Sequence, residues 1–270
     1  MDAATAALST ALLENTIVVF MLILTRLGGL IIVAPGFGAS SAPIRIRALL
    51  SIAIAAVITP LHIPSLSLEV HNLIHLAALL AREASIGLIM GSVVLIMFSS
   101  LQVTGQVVGQ MSGMQMAGAY DAATDNTVSV FAKLLDLVSM AVFLLIGGHR
   151  ALMSALLDTF KHLPPGLSKH APGGAQLLQQ TLSQSFEVGL RAAAPIMMSV
   201  LLAVIVTGLI SRTLPQLNIL AIGFGINILV LLGSLLFSIG AITWLFQAQI
   251  SIAIERAVDF FAESANGLSP

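Results

Sequence analysis

The chain has 270 residues, of which 57% are hydrophobic and only 9% charged, and its mean hydropathy is +1.03. Soluble domains carry about 25% charged residues, so this composition excludes an ordinary soluble globule and predicts an integral membrane protein. The absence of cysteine excludes disulfides, thiolate metal sites and cysteine catalysis. A net charge of -1 provides no basic field for binding nucleic acid.

Taken in chain order, the apolar stretches predict an all-α protein with about six hydrophobic segments, each near the length that crosses a bilayer. The segments are 17–34, 48–63, 73–101, 128–146, 188–210 and 219–246. Helical periodicity also marks 151–160, and two amphipathic stretches, 176–187 and 250–261, precede and follow the last pair of segments. The Pro- and Gly-rich residues 161–174 predict a linker.

Lysines and arginines are distributed almost evenly between the two sets of loops that six spans would create, so the positive-inside rule sets no orientation. Either partners orient the chain, or its helices do not all cross a bilayer in the ordinary way. Helical hairpins assembled with other chains would satisfy this pattern better than a free-standing bundle.

Five charged residues fall within apolar segments, where a charge costs at least about 2.5 kcal/mol on insertion scales. They are Arg26, Arg82, Glu83, Lys133 and Asp136. Lys133 and Asp136 are spaced i,i+3 and can pair within one helix, whereas the adjacent Arg82 and Glu83 each need a partner elsewhere. The five residues favour buried pairing between helices; the alternative is an ion relay in a free-standing, ion-coupled multi-pass transporter.

Glycines at small-xxx-small spacing mark two places where helices can approach closely. The first is Gly87 and Gly91, and the second is the stripe formed by Gly105, Gly109 and Gly113.

After Gly113 the helical pattern ends in a segment that is neither a comfortable membrane span nor an ordinary polar loop. Its notable residues are Met114, Met116, Gly118, Tyr120, Asp121 and Asp125. Methionine side chains are flexible and can conform to an irregular opening, although they also fill ordinary cores. The pattern therefore predicts a tightly packed helix followed by a segment that could act as a deformable seal.

Catalytic and metal sites are disfavoured by the residue patterns. His71 and His75 are spaced i,i+4 with Glu69 nearby, which is compatible with metal ligation, but no third ligand appears at motif spacing. Ser112 continues a helical glycine stripe rather than a strained nucleophile turn, and a lone serine with His149 is weak grounds for a protease. We expect a non-enzymatic protein that has no cofactor.

Motifs along nearly the whole chain, in order, resemble the FliR family, the R subunit of the flagellar type III protein-export gate. They include R-L-G-G-L-I-I-V-A-P-G-F-G from Arg26, P-I-R-I-R from Pro43, R-E-A-S-I-G-L-I-M-G from Arg82, T-G-Q-V-V-G-Q-M-S-G from Thr104, G-G-H from Gly147, F-K-H-L-P from Phe160, A-A-P from Ala193 and I-S-R-T-L-P-Q-L-N-I from Ile210. The last of these is the most specific.

The resemblance implies a subunit of a hetero-oligomeric helical gate in the bacterial inner membrane, within the flagellar basal body. Its implied partners are the P and Q subunits (FliP and FliQ), together with FlhB, FlhA, membrane lipid and the unfolded flagellar subunits that the gate exports. It also implies a P-like part at residues 1–186 and a Q-like part at 187–270.

The family's plug loop maps onto residues 113–126. The family loop commonly has Phe residues before a D-P pair, whereas this chain has Met114, Met116 and Tyr120 there, and Ala122 follows Asp121. A turn at a subunit contact maps onto Arg212, Pro215, Gln216 and Asn218.

Overall fold

The computed structural model describes residues 2–37, 43–62, 72–111, 129–166, 173–213 and 219–266. Within these ranges the chain forms seven α-helices and no strand, which confirms the predicted all-α class. The helices are α1 (Asp2–Val33), α2 (Ile44–His62), α3 (Leu73–Met111), α4 (Val130–Leu145), α5 (Gly148–His162), α6 (Gly174–Thr213) and α7 (Ile219–Asn266).

Of the helices described, five are long and apolar enough to cross a membrane, and α4 with α5 passes the same test as a bent pair. The two helices of that pair meet at 63°. The bend occurs at Gly147, whose φ of 72° lies in the left-handed region that glycine adopts without steric cost. The prediction of about six hydrophobic segments is confirmed, with five single helices and one bent pair of helices.

The long helices differ from the sequence prediction in one respect. The amphipathic stretch 176–187 and the apolar segment after it form the single helix α6, and 219–246 continues through 250–261 as α7. A change of hydrophobicity does not interrupt backbone hydrogen bonding, and no glycine–proline break separates these stretches. At about 1.5 Å per residue, the 48 residues of α7 extend about 72 Å, more than twice the hydrocarbon thickness of about 30 Å.

The chain divides into two compact units, each built from discontinuous segments. The first unit comprises Met1–Leu95, Gly147–Gln180 and Ile252–Pro270. Its core includes Leu22, Leu27 and Leu30 from one face of α1, all fully buried.

The second unit comprises Ile96–Ile146 and Thr181–Ser251. Its core contains an aromatic cluster in which the Phe98 ring packs edge-to-face against the Phe143 and Phe246 rings. The distances between ring centroids are 5.3 Å to Phe143 and 5.4 Å to Phe246. Edge-to-face contacts at these distances are favourable for aromatic rings. Phe98, Phe143 and Phe246 thereby join α3, α4 and α7 within this unit.

The predicted division at residues 186 and 187 follows from resemblance to two kinds of subunit, whereas the compact units reflect packing. The two are different properties of the chain, so the division into a P-like and a Q-like part stays a prediction.

Candidate functional site

In the first unit, glycines hold α1 and α3 in close contact. A methyl group on Gly87 would overlap the carbonyl oxygen of Arg26, and one on Gly91 would lie 3.0 Å from the carbonyl oxygen of Leu30. From the other side, a methyl group on Gly29 would lie 2.9 Å from a carbonyl oxygen of α3. The step from Gly87 to Gly91 on α3 is matched by the step from Arg26 to Leu30 on α1. The two helices therefore run parallel at this contact.

This close approach brings together a buried ion pair. Arg26 Nε donates to Glu83 Oε2 at 2.6 Å, and both side chains are fully buried. Glu83 lies one helical turn before Gly87, so the missing side chain at Gly87 allows the arginine to reach it. Glu83 therefore has in Arg26 the partner that its position in an apolar segment required.

The Arg26 guanidinium also binds the end of α5 and the turn after it. Nη1 donates to Thr159 Oγ1 at 3.1 Å, Nη2 donates to the Leu163 carbonyl oxygen at 3.0 Å, and the guanidinium carbon lies 4.3 Å from the Phe160 ring centroid. The Thr159 hydroxyl in turn donates to the Leu156 carbonyl oxygen at 2.6 Å.

The second oxygen of Glu83 is also used. Glu83 Oε1 accepts from the Gly166 backbone N–H at 3.0 Å. Gly166 has a φ of 78°, a conformation that favours glycine. The pair thus anchors the first turn of the predicted linker to α1 and α3, and it neutralises the buried carboxylate through a charged partner and a backbone donor.

In the second unit, the glycine stripe of α3 packs against the start of α4. A methyl group on Gly105 would lie 2.5 Å from the Ala132 backbone nitrogen, and one on Gly109 would overlap the Ser129 hydroxyl. The Ser129 hydroxyl also caps α4 by accepting from the Phe131 N–H at 3.3 Å. The two helices form an antiparallel hairpin, in which the end of α3 and the start of α4 lie next to each other at Gly109 and Ser129.

One turn further from those ends, a polar contact links the same two helices. Gln102 Nε2 donates to Asp136 Oδ1 at 2.9 Å, and Lys133 Nζ lies 3.4 Å from Asp136 Oδ2. The i,i+3 pairing of Lys133 with Asp136 is therefore observed. The lysine side chain is 68% exposed and the aspartate 30% exposed.

Two of the five charges expected to be buried are exposed in the single chain. Arg82 and Lys133 both point away from the packed faces of their helices, whereas Arg26 and Glu83 are buried and Asp136 is half-buried. Adjacent residues on a helix point about 100° apart, which is why Glu83 lies inside the unit and Arg82 outside it.

Several predicted site residues lie outside the described ranges. These are the plug positions Gly113, Met114, Met116, Gly118, Tyr120, Asp121 and Asp125, together with Pro215, Gln216 and Asn218 of the subunit-contact turn. Arg212 is exposed in the last turn of α6. His71 and Ser112 also lie outside, and across the described ranges no group of three His, Asp or Glu side chains is arranged to hold a metal ion.

Sequence reasoning missed the residues that complete these contacts. Thr159, Leu163 and Gly166 are separated from their partners by more than 80 residues, and two of the three act through backbone atoms. Gln102, Gln106 and Gln110 recur every fourth residue in the sequence, but no local pattern indicates that Gln102 has a carboxylate partner on α4. Only the P-P-G run at 164–166 indicated a turn.

The long apolar helices, their glycine-mediated contacts and their buried, paired charges define an all-α, multi-pass membrane protein. Comparison with known proteins identifies its family. The family described as "Bacterial export proteins, family 1" matches residues 17–252. The chain belongs to this family and, within it, to the FliR proteins.

Relatives named "Flagellar biosynthetic protein FliR" are similar over most of their length. The Escherichia coli K12 relative is 30% identical over 77% of this chain and 78% of its own length. The Caulobacter vibrioides relative is 24% identical over 82% of this chain and 88% of its own. The Bacillus subtilis relative is 22% identical over 90% of this chain and 94% of its own.

Proposed function

We propose that this chain, a component of the flagellar protein-export apparatus by family, is a non-enzymatic subunit of the export gate in the bacterial inner membrane, within the basal body. It helps to form the conduit through which unfolded flagellar subunits pass, and residues 113–126 close that conduit at rest. The observation that supports this proposal best is the contact of Gly109 with Ser129, which brings the end of α3 close to the start of α4.

A segment whose ends meet on a packed hairpin has fewer accessible conformations than one joining distant helices. The contacts of Gly105 and Gly109 with α4 provide such a base, because the absence of side chains lets the backbones approach. Met114, Met116 and Tyr120 then supply large side chains, two of them flexible, for a seal that can yield to a passing chain.

The exposed apolar surface of the helices supports assembly with other chains and with lipid. In the most apolar stretch of α6, and likewise in that of α7, only 22% of the residues are buried within the chain. Exposed side chains there include Leu202, Leu209 and Phe237. We propose that FliP and FliQ cover much of this surface, that FlhB and FlhA are further partners, and that the turn of Arg212, Pro215, Gln216 and Asn218 is a subunit contact.

Helix α2 fits direct contact with lipid. Its 19 residues extend about 28 Å, close to the hydrocarbon thickness of about 30 Å. Leu49, Val57 and Leu61 are each at least 66% exposed. Arg45, in its first turn, suits an anionic headgroup region.

The closing role is tested by deleting Met114 to Ala119 in the assembled gate and measuring the ion conductance of the membrane. We expect conductance to rise above background because the seal is lost while the hairpin base remains. The control replaces residues 167–172, which lie within the predicted linker 161–174, with a Gly/Ser segment of equal length, which should leave the membrane sealed. Background conductance in the deletion variant, with normal assembly, would place the seal elsewhere.

A further inference from the structure

A groove runs between α6 and α7 in the second unit. The residues that line it are Pro195, Ser199, Val230, Ser234, Phe237 and Ser238. Its volume is about 440 Å³, within the range of about 300–1,000 Å³ that is typical of small-molecule sites. From Val230 to Ser238 the groove extends about 12 Å along α7. None of these lining residues is charged.

Two of the three serine hydroxyls that line the groove are engaged within their own helices. Ser199 Oγ donates to the Pro195 carbonyl oxygen at 2.8 Å, and Ser234 Oγ donates to the Leu231 carbonyl oxygen at 3.0 Å. A hydroxyl whose proton is already donated offers an incoming ligand no further donor. The groove therefore favours a hydrocarbon group over a polar one.

The groove is also narrower than an α-helix. Its volume divided by its length gives a mean cross-section of about 37 Å², whereas a helix about 10 Å across occupies about 80 Å². A helix of another subunit can therefore cover the groove but cannot fill it. A single hydrocarbon chain, one methylene wide, fits inside.

Helix α6 contains a run without charge whose length matches a bilayer. Residues 192–211 contain no charged side chain, and Arg191 and Arg212 stand at the two ends of this run. Its 20 residues extend about 30 Å, which is the hydrocarbon thickness. With this run across the membrane, Arg191 lies at the headgroup level. Pro195 and Ser199 lie about 6 Å and about 12 Å deeper, within a leaflet of about 15 Å.

An exposed tryptophan marks the same level on α7. Gln184 of α6 donates a hydrogen bond to Gln249 of α7, and from there the helices run antiparallel to the groove. Arg191 lies seven residues after Gln184. Trp244 lies five residues before Gln249, so its height differs from that of Arg191 by about 3 Å. The Trp244 side chain is 70% exposed, and tryptophan is enriched at the membrane–water interface.

The Arg191 side chain is suited to a phosphate at this level. Its Nη2 pairs with Glu187 Oε1 at 2.5 Å, and the two side chains are 67% and 58% exposed. A guanidinium has five N–H donors in a planar fork, so one contact with a carboxylate does not use its whole capacity, and arginine binds phosphate oxygens well. Arg191 lies one turn before Pro195 on the same face of α6.

We propose that this groove is a phospholipid site, in which one acyl chain lies between α6 and α7 and the phosphate binds Arg191. The uncharged lining, the width of the groove and its depth within one leaflet match the chain, and the arginine at the headgroup level matches the phosphate. The lipid fills a space that a covering helix would leave empty. This inference depends on α6 crossing the membrane and is independent of the role proposed for residues 113–126.

The test reconstitutes the complete gate into nanodiscs that contain phosphatidylglycerol with a diazirine midway along one acyl chain. After illumination, peptide mass spectrometry locates and quantifies the labelled residues. We expect labelling of residues 195–199 and 230–238 to exceed several-fold that of Ile205 and Val206, which are exposed at a similar depth in the opposite leaflet. Equal labelling, or an unlabelled groove covered by a protein partner, would overturn the proposal.

A groove-filling variant tests the acyl chain. We expect S199L to lower the labelling of residues 230–238 several-fold. The matched control is S211L on the same helix, because Ser211 lies outside the groove and its hydroxyl likewise donates to its own helix, to the Gly208 carbonyl oxygen at 2.6 Å. S211L should leave the labelling unchanged. If S199L does not assemble, S234L fills the groove from α7, read out on residues 195–199. Unchanged labelling in the assembled variant would overturn the proposal.

Two further variants test the polar end and the lining. R191Q removes the charge proposed to bind the phosphate and should lower the labelling, whereas R150Q, at an exposed arginine of α5, should not. Equal labelling of R191Q and R150Q would contradict the phosphate contact. The double variant S199A/S234A should keep the wild-type labelling, because the chain makes no hydrogen bond with these hydroxyls. A loss of labelling in S199A/S234A would contradict a hydrocarbon occupant.

Discussion

At the scale of single residues, Arg26 shows how an apolar chain accommodates charge. Removing a guanidinium and a carboxylate from water costs several kcal/mol per ion. Here the Glu83 carboxylate, the Thr159 hydroxyl and the Leu163 carbonyl oxygen compensate Arg26. The same contacts bind the turn after α5, so charge compensation and the path of the backbone depend on one side chain.

Substituting only one member of the buried Arg26–Glu83 ion pair should strongly destabilise the protein. We expect R26L to lower the stability of the purified assembly by about 3–5 kcal/mol, because it leaves Glu83 buried without its cation. The double variant R26L/E83L should cost clearly less than R26L. Thermal unfolding of the detergent-solubilised assembly measures both.

The control for the Arg26 variants is D158A, which breaks an ion pair whose side chains are 75% and 40% exposed. Surface pairs contribute about 0–1 kcal/mol, so D158A should unfold close to the wild-type temperature. Equal losses for R26L and D158A would show that the buried pair has no special role.

At the scale of helices, backbone approach through glycine is the main device in both units. In the first unit it brings α1 against α3 at Gly87 and Gly91, and in the second it brings α3 against α4 at Gly105 and Gly109. In each case a polar contact lies within one turn of the glycines, namely Arg26 with Glu83 and Gln102 with Asp136. Loss of the close approach should therefore also weaken the polar contact.

A matched pair of glycine substitutions tests this dependence. In G87A the new methyl group overlaps the Arg26 carbonyl oxygen, so α1 and α3 must separate, and we expect a marked fall in the thermal stability of the assembly. In G28A, on α1, the methyl group meets nothing within 4 Å. Alanine is about 1 kcal/mol the better helix former, so G28A should be neutral or stabilising. A G28A variant less stable than G87A would contradict the packing role of Gly87.

The sequence predicted the local parts of these contacts and missed the distant ones. Lys133 and Asp136 lie three residues apart on one helix, so their pairing follows from helical geometry alone. Arg26 and Glu83 are 57 residues apart, and the sequence indicated only that Glu83 needs a partner. Which residue supplies it depends on the parallel alignment of α1 with α3, which no local pattern encodes.

At the scale of the whole molecule, the chain leaves much of its apolar surface uncovered. Large exposed patches on a protein mark contact with other chains or with lipid. In the most apolar stretch of each of α2, α6 and α7, only 22% of the residues are buried within the chain. The length of α7 also exceeds the hydrocarbon thickness of a bilayer. This combination suits a subunit surrounded by other helices better than an isolated bundle in a membrane.

Expression without the proposed partner subunits should therefore yield little monodisperse protein, because the apolar faces remain uncovered. Co-expression with FliP and FliQ should raise the yield and give a complex in which all three copurify. Size-exclusion chromatography with quantification of each chain measures both outcomes. A solitary chain that is monodisperse and, once reconstituted, catalyses ion-coupled uptake would favour the transporter alternative.

The sequence by itself determined the membrane class, the all-α fold, the approximate segments and the family, because composition, periodicity and motifs are local or cumulative properties of the chain. The tertiary structure decided which charges are buried, which backbones meet at the glycines, and that the end of α3 lies against the start of α4 at Gly109 and Ser129. These features depend on how helices that are distant in sequence align. The periodicity of one helix indicates which of its faces is packed, but not which helix packs against that face.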